Sequence, residues 1–154
     1  MRKWTRRRLC DAVRALIKQG ITPEKIALSI AWGIALGTVP ILGITTVLCA
    51  GAAMALRLNL AAVQLANWAA CPLQIVLLVP FFVMGGWLFG VPTTAQDAAV
   101  VVDLFRSDLV LALGYAAEMT FYAVLVWVLA APFAIFILYK MLMFLLARLP
   151  EESL

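Results

Sequence analysis

The chain contains no histidine. That absence excludes histidine-ligated zinc, haem and copper, Ser-His-Asp hydrolysis and imidazole proton shuttling, and most familiar enzyme chemistry goes with them. Cysteine is sparse: Cys10, Cys49 and Cys71 are an odd set without CxxC spacing, so apolar packing is expected of them and not a disulfide framework or a thiol redox centre. Charge is sparse too. Only 13% of the 154 residues are charged, whereas 66% are hydrophobic and mean hydropathy is +1.05. A water-soluble chain of this size cannot hide so much apolar surface. The carboxylates Asp97, Asp103 and Asp108 match no metal-binding spacing, and solvation is their expected fate. The chain is expected to be no enzyme, with no metal, no cofactor and no catalytic residue.

What the sequence has is long uncharged runs. Ile26 to Leu56, Leu58 to Gln96 and Met119 to Tyr139 take up 91 of the 154 residues and are long enough for lipid. The composition therefore reads as an integral membrane protein. Arg2, Lys3, Arg6, Arg7, Arg8, Arg14, Lys18 and Lys25 precede the first run, opposed only by Asp11 and Glu24, which predicts a cytoplasmic N-terminal end. A cleaved signal peptide is not expected, because the apolar stretch begins only at Ile26 and continues well past the length of a secretory core. Thr46-Val47-Leu48-Cys49 does not suit lipoprotein processing either, since leucine stands where a small residue is required.

Residues 1–20 place Leu9, Val13, Leu16 and Ile17 at helical spacing among arginines and lysines, predicting a cytoplasmic basic amphipathic helix. Its charges either contact anionic headgroups or serve topology alone; without an aromatic platform beyond Trp4, no nucleic acid is expected as a partner. Residues 21–148 form the expected membrane domain, and 149–154 a cytoplasmic tail. Thr22-Pro23-Glu24 is a helix start: a hydroxyl cap, a proline at the first helical position, and a carboxylate near the positive end of the dipole. As straight helix, 26–56 would measure roughly 46 Å against a hydrocarbon thickness of about 30 Å. Gly37-Thr38-Val39-Pro40-Ile41-Leu42-Gly43 interrupts it, and both ends, Lys25 and Arg57, favour the cytoplasmic layer. The expectation is a re-entrant hairpin over 26–56, broken at Pro40, each arm reaching about 20 Å into the bilayer.

The 60–91 segment is read as a broken helix, short over 60–70 and interrupted at Cys71-Pro72, followed by a transmembrane span. Residues 93–117 are expected as an external interfacial segment and 119–139 as a second span, kinked at Pro132. Eleven of the 12 lysines and arginines then lie inside and only Arg106 outside, which predicts two cytoplasmic termini. Glu118 stands at the outer edge, hydrated or turned inward. The fold class is thus all-α integral membrane: a re-entrant helical hairpin plus broken and full transmembrane helices, with N and C termini inside.

The segment Gly33-Ile34-Ala35-Leu36-Gly37-Thr38-Val39-Pro40-Ile41-Leu42-Gly43-Ile44-Thr45-Thr46, with Thr22-Pro23-Glu24-Lys25-Ile26-Ala27 before it and Arg57-Leu58-Asn59 and Pro72-Leu73 after it, resembles the bacterial membrane family known as domain of unknown function 2062. The resemblance covers approximately residues 20–148. It implies a bacterial cytoplasmic (inner) membrane location, multi-pass, and an architecture similar to re-entrant-loop proteins that move polyprenyl or phospholipid carriers. Where the family usually has asparagine before the second proline and threonine two positions after it, this chain has Cys71 and Gln74.

A helix that starts inside the membrane after Pro40 exposes unpaired amides and the positive end of its dipole, with Thr45 and Thr46 in its first turns; such an end binds anions. The candidate substrate-binding residues are Gly37, Pro40, Gly43, Thr45, Thr46, Arg57, Asn59 and Asn67. Arg57, next to Asn59, offers a phosphate a bidentate landing site at the cytoplasmic mouth or simply snorkels at a helix end. Asn67 lines the same cavity or, like Gln64 and Gln74, makes an interhelical hydrogen bond. Gly33 and Gly37, and again Gly86 and Gly90, have the spacing of small-residue helix contacts. Trp32, Trp68 and Trp127 lie too deep for a headgroup belt and are expected to pack, whereas Trp87 and Tyr139 suit one. The expected function is a small membrane transporter or lipid translocase binding an anionic, phosphate-bearing headgroup. The alternative is a non-catalytic scaffold or assembly factor for another envelope machine. Membrane lipids are the expected partners, with a homo-oligomer because two crossings and a hairpin hardly enclose a pathway, and another membrane protein under the scaffold reading.

Overall fold

The computed structural model describes residues 22–90, 103 and 108–148. Among these residues all regular structure is helical: α1 (Pro23–Gly37), α2 (Thr45–Ala55), α3 (Leu60–Phe89) and α4 (Leu109–Leu146). The expected segments 1–20 and 149–154, and nearly all of the expected interfacial stretch before Asp108, lie outside the described residues.

α1 begins as its sequence requires. Thr22 Oγ1 accepts from the Lys25 amide at 3.4 Å, Pro23 opens the helix, and Glu24 lies in the first turn. It ends in tightened bonds from the Thr38 amide to the Ala35 carbonyl (3.2 Å) and from Val39 to Leu36 (3.3 Å). Pro40 has no amide to continue the ladder, and Gly43 takes a φ of +92° that few other residues tolerate. The break anticipated at Pro40 is therefore present. α2 closes in a Schellman turn: the Leu58 amide bonds to the Ala53 carbonyl at 2.9 Å and the Arg57 amide to Met54 at 3.4 Å. Arg57 takes the left-handed position, φ 52°, usually given to glycine. Asn59 then caps α3, its Oδ1 accepting from the Ala62 amide at 2.8 Å.

Two expectations need correction. α3 is one helix of 30 residues running through Pro72 and Pro80, not a short helix broken at Cys71-Pro72. Proline alone removes one donor; the turn at Pro40 also has Gly37 and Gly43 to change direction and side chains to satisfy the released carbonyls, whereas Pro72 is flanked by Ala70, Cys71 and Leu73 and has no glycine nearby. α4 starts well before Met119. Asp108 caps it, accepting from the Val110 and Leu111 amides at 3.0 and 3.1 Å, so 109–117 belong to a helix that continues through Glu118 and Pro132 to Leu146.

α1 and α3 run side by side in the same direction. Ser29 Oγ accepts from the Asn59 amide at 3.0 Å. A methyl on Gly33 would collide with the Val63 carbonyl and the Ala66 Cβ, and one on Gly37 would sit 3.0 Å from the Ala70 Cβ and 3.1 Å from the Asn67 carbonyl oxygen. The pairs Ser29–Asn59, Gly33–Val63 and Gly37–Asn67 keep a constant offset of 30 residues. Parallel neighbours require the chain between them to come back, and α2 is that return. The Ser29–Asn59 bond marks the level at which the hairpin opens and closes.

α4 packs on both α1 and α3. Trp127 Nε1 donates to the Ala35 carbonyl at 3.2 Å and to Thr38 Oγ1 at 3.3 Å. A Cβ on Gly85 would lie 2.9 Å from the Tyr122 carbonyl carbon, and Phe89 stacks on the Tyr122 ring with centroids 4.7 Å apart. The interior is built from small side chains: Ala27, Ala31, Ala53, Ala123 and Cys49 are buried, and Leu36, Cys49, Ala53 and Val63 form a cluster flanked by Trp32 and Trp127. α3 and α4 are long and apolar enough to cross a membrane by length and composition, and only 22% and 17% of their most apolar windows are buried. A core helix of a soluble protein would be mostly covered; these helices turn large apolar residues such as Trp87 and Phe133 outward, as a hydrocarbon surrounding allows.

Candidate functional site

Thr38, Val39 and Pro40 are buried, Leu42 and Gly43 beyond them are exposed, and the turn is held from two sides. Gln74, itself buried on α3, donates from Nε2 to the Val39 carbonyl at 2.8 Å and to the Ile41 carbonyl at 3.4 Å, spanning the proline. On the other side Thr38 Oγ1 donates to the Ala35 carbonyl at 2.8 Å while accepting from Trp127. The Val39 and Ile41 carbonyls of the turn are thus answered from α3, and the Ala35 carbonyl in the last turn of α1 by Thr38 and by Trp127 of α4, as irregular backbone in an apolar setting demands. Gln74 is the fifteenth residue of the 30 in α3, so the turn packs at half the height of that helix.

The amide end of α2 is different. Ile44 occupies the cap position in helical conformation and makes no side-chain capping bond. Thr46 and Val47 are exposed and Thr45 half-buried. The first-turn amides, at the positive end of the dipole, therefore have no capping side-chain acceptor. Beneath them Gln64 Nε2 donates to the Thr46 carbonyl at 2.9 Å, and Asn67 Nδ2 donates to Gln64 Oε1 at 3.4 Å.

The structure brings Gly37, Asn67 and Thr46 together, with Pro40 and Thr45 adjoining them along the chain, whereas Gly43 is exposed with no atom within 4 Å of its Cβ position. Asn67 is buried beside Gly37 and joined to Thr46 through Gln64. It does not bring Arg57 and Asn59 there. They stand beyond the C-terminal end of α2, roughly 16 Å from Thr45 along an 11-residue helix. Asn59 is occupied with capping α3 and bonding Ser29. Among the packing glycines, Gly33 and Gly37 make the close α1–α3 approach and Gly86 is buried. Gly90 is not a contact at all: it ends α3 in the left-handed conformation (φ 70°) with no atom within 4 Å of its Cβ position, and Gly85 makes the approach to α4.

Gln64 and Gln74 make the interhelical bonds expected of them, but their shared partner, the hairpin backbone, was not visible in spacing. Ser29, Thr38 and the indole N–H of Trp127 carried no advance signal beyond their types. Glu118 accepts from the Tyr122 hydroxyl one turn along at 2.9 Å. Among the described residues no buried side-chain nitrogen or oxygen lacks a partner. The groups assembled here are carboxamides, hydroxyls and backbone amides, which bind polar ligands by hydrogen bonding. An open apolar groove of about 520 Å³ adjoins the turn, lined by Ile41 and by Leu113, Ala116, Thr120, Phe121 and Val124 of α4.

The family model described as "Uncharacterized protein conserved in bacteria (DUF2062)" matches residues 6–152. No curated protein and no solved structure matches the chain significantly.

Proposed function

This chain belongs to the bacterial DUF2062 family, and from that premise we propose that it is a small transporter or lipid translocase of the cytoplasmic membrane that binds a phosphate-bearing headgroup at the start of α2. One observation carries the reading: a helix without a side-chain cap begins just after a turn that is held at half the height of a helix long enough to span. With Lys25, Arg57 and Asn59 at the cytoplasmic headgroup level, Gln74 and the turn it holds stand roughly 22 Å up α3, close to the bilayer centre. At that depth 26–56 is a re-entrant hairpin, and both termini are cytoplasmic. An anionic group is attracted to the uncapped amides and the dipole, more strongly in hydrocarbon than in water. The Thr45 and Thr46 hydroxyls add donors, and the groove beside Ile41 has room for part of an acyl or prenyl chain. A second copy of the chain completes the wall of the pathway.

The test is reconstitution in sealed liposomes, following fluorescent anionic phospholipid or polyprenyl phosphate across the bilayer for empty vesicles, wild type, a Thr45→Val, Thr46→Val double variant and Thr46→Asp. The Asp variant places a fixed carboxylate where the phosphate binds; it strengthens the helix end and blocks the ligand. Wild type is expected to exceed both variants and empty vesicles. Equal rates in all four remove the transporter reading and favour the scaffold.

A further inference from the structure

We infer that α2 is a gate, hinged at both ends and latched by Gln64, whose opening uncovers the carboxamide strip of α3 that leads from the mouth of the hairpin to the Pro40 turn. The hinges are backbone observations. α2 is bounded on one side by Gly43 (φ 92°) and on the other by Arg57 (φ 52°), so the chain turns through the left-handed region immediately before and after an 11-residue rigid rod. No atom lies within 4 Å of the Cβ position of Gly43, which leaves that pivot sterically free. Neither α1 nor α3 is joined to α2 in any other way along the chain.

The rod is lightly held. Only Cys49 and Ala53 of α2 are buried, both small, and Val47 and Met54 are 73% and 72% exposed. In hydrocarbon, moving such side chains from a protein contact to an acyl-chain contact costs little, because lipid is as apolar as the interior; hydrogen bonds and close packing decide what stays together. α1 is fixed to α3 and α4 by Ser29, Gln74 and Trp127, so the turn stays in place when α2 moves. For α2 itself, among the described residues, a single interhelical hydrogen bond reaches it from outside, Gln64 Nε2 to the Thr46 carbonyl at 2.9 Å. Gln64, Asn67 and Gln74 lie on the α3 face toward the hairpin, and the first two bond to each other. With α2 swung away, Gln64 and Asn67 line a polar seam that admits a headgroup sideways. The gate deepens the proposed function and rests on it for its purpose, but its motion is measurable without substrate.

The experiment is double electron–electron resonance on the full chain in lipid nanodiscs. Nitroxides are attached at Val47→Cys on α2 and Val83→Cys on α3, both exposed, with the native cysteines replaced by alanine. The wild-type background is expected to give a main distance and a minor, displaced one. Gln64→Leu, which keeps the helix and removes the latch, raises the minor population roughly 3- to 10-fold. Gly43→Ala, which leaves the latch intact and disfavours the closed φ, shifts it in the same direction. One narrow distance, unchanged in both variants, overturns the gate. If the populations shift while lipid movement is absent in the liposome assay, the gate stands and the transporter reading falls; if lipid moves while the distance stays fixed, the gate alone falls.

Discussion

Gln74→Leu is the perturbation whose cost the structure fixes best. Leucine and glutamine differ little in helix propensity, and burying an apolar side chain gains almost nothing when the alternative surrounding is lipid. The change therefore isolates the two hydrogen bonds at 2.8 and 3.4 Å. The Val39 carbonyl is left as a buried acceptor without its partner, at about 1–3 kcal/mol. A central value of about 2 kcal/mol changes the unfolding equilibrium roughly 30-fold. The assay is reversible unfolding in mixed micelles, titrating a denaturing detergent and following helical circular dichroism. Gln74→Glu can donate to the Val39 carbonyl only while its carboxyl is protonated, so its stability is expected to fall as pH is raised far enough to ionise it, when the carboxylate would face two carbonyl oxygens. A leucine variant within about 0.5 kcal/mol of wild type would refute the claim that this carboxamide holds the turn.

Gly33→Ala is expected to destabilise by about 1–3 kcal/mol in the same titration, since its methyl meets the Val63 carbonyl, whereas Gly51→Ala, with open space around it, is neutral or stabilising by up to about 1 kcal/mol. Asp108→Ala removes both capping bonds of α4 and lowers stability by about 1 kcal/mol, with faster hydrogen exchange confined to the first turn of that helix. Native mass measurement in mild detergent is expected to give a dimer; an active monomer would contradict the shared pathway.

The sequence foretold the all-helical character, the break at Pro40 and the Gly33–Gly37 contact for physical reasons. A proline between two glycines inside a run too long for one span favours a bend, and Gly33 and Gly37 one turn apart have the spacing of a close approach; both appear where the pattern put them, although the same spacing at Gly86 and Gly90 ends in a helix cap and not a contact at Gly90. Pro72 misled because a proline reports a missing donor and not whether the neighbours supply a turn, and Ala70, Cys71 and Leu73 do not. The start of α4 was hidden because an absence of charge bounds the apolar run and not the helix, which Asp108 caps ten residues before Glu118. In the candidate site, the sequence reading puts Thr45 at the helix end inside the membrane and Arg57 at the cytoplasmic mouth. The rise of α2 separates them, and Gln64, Gln74 and Trp127 join the site through three-dimensional register that no local pattern contains.

The central claim is that the chain returns to the side of the membrane from which it left. Single cysteines at Lys25→Cys and Arg57→Cys, in a background without native cysteines, can be challenged with an impermeant thiol reagent in sealed vesicles of known orientation. Both positions are expected to react only from the cytoplasmic side. Reaction of position 57 from the opposite side would make 26–56 a crossing, and the mid-depth helix end with its proposed ligand would not exist.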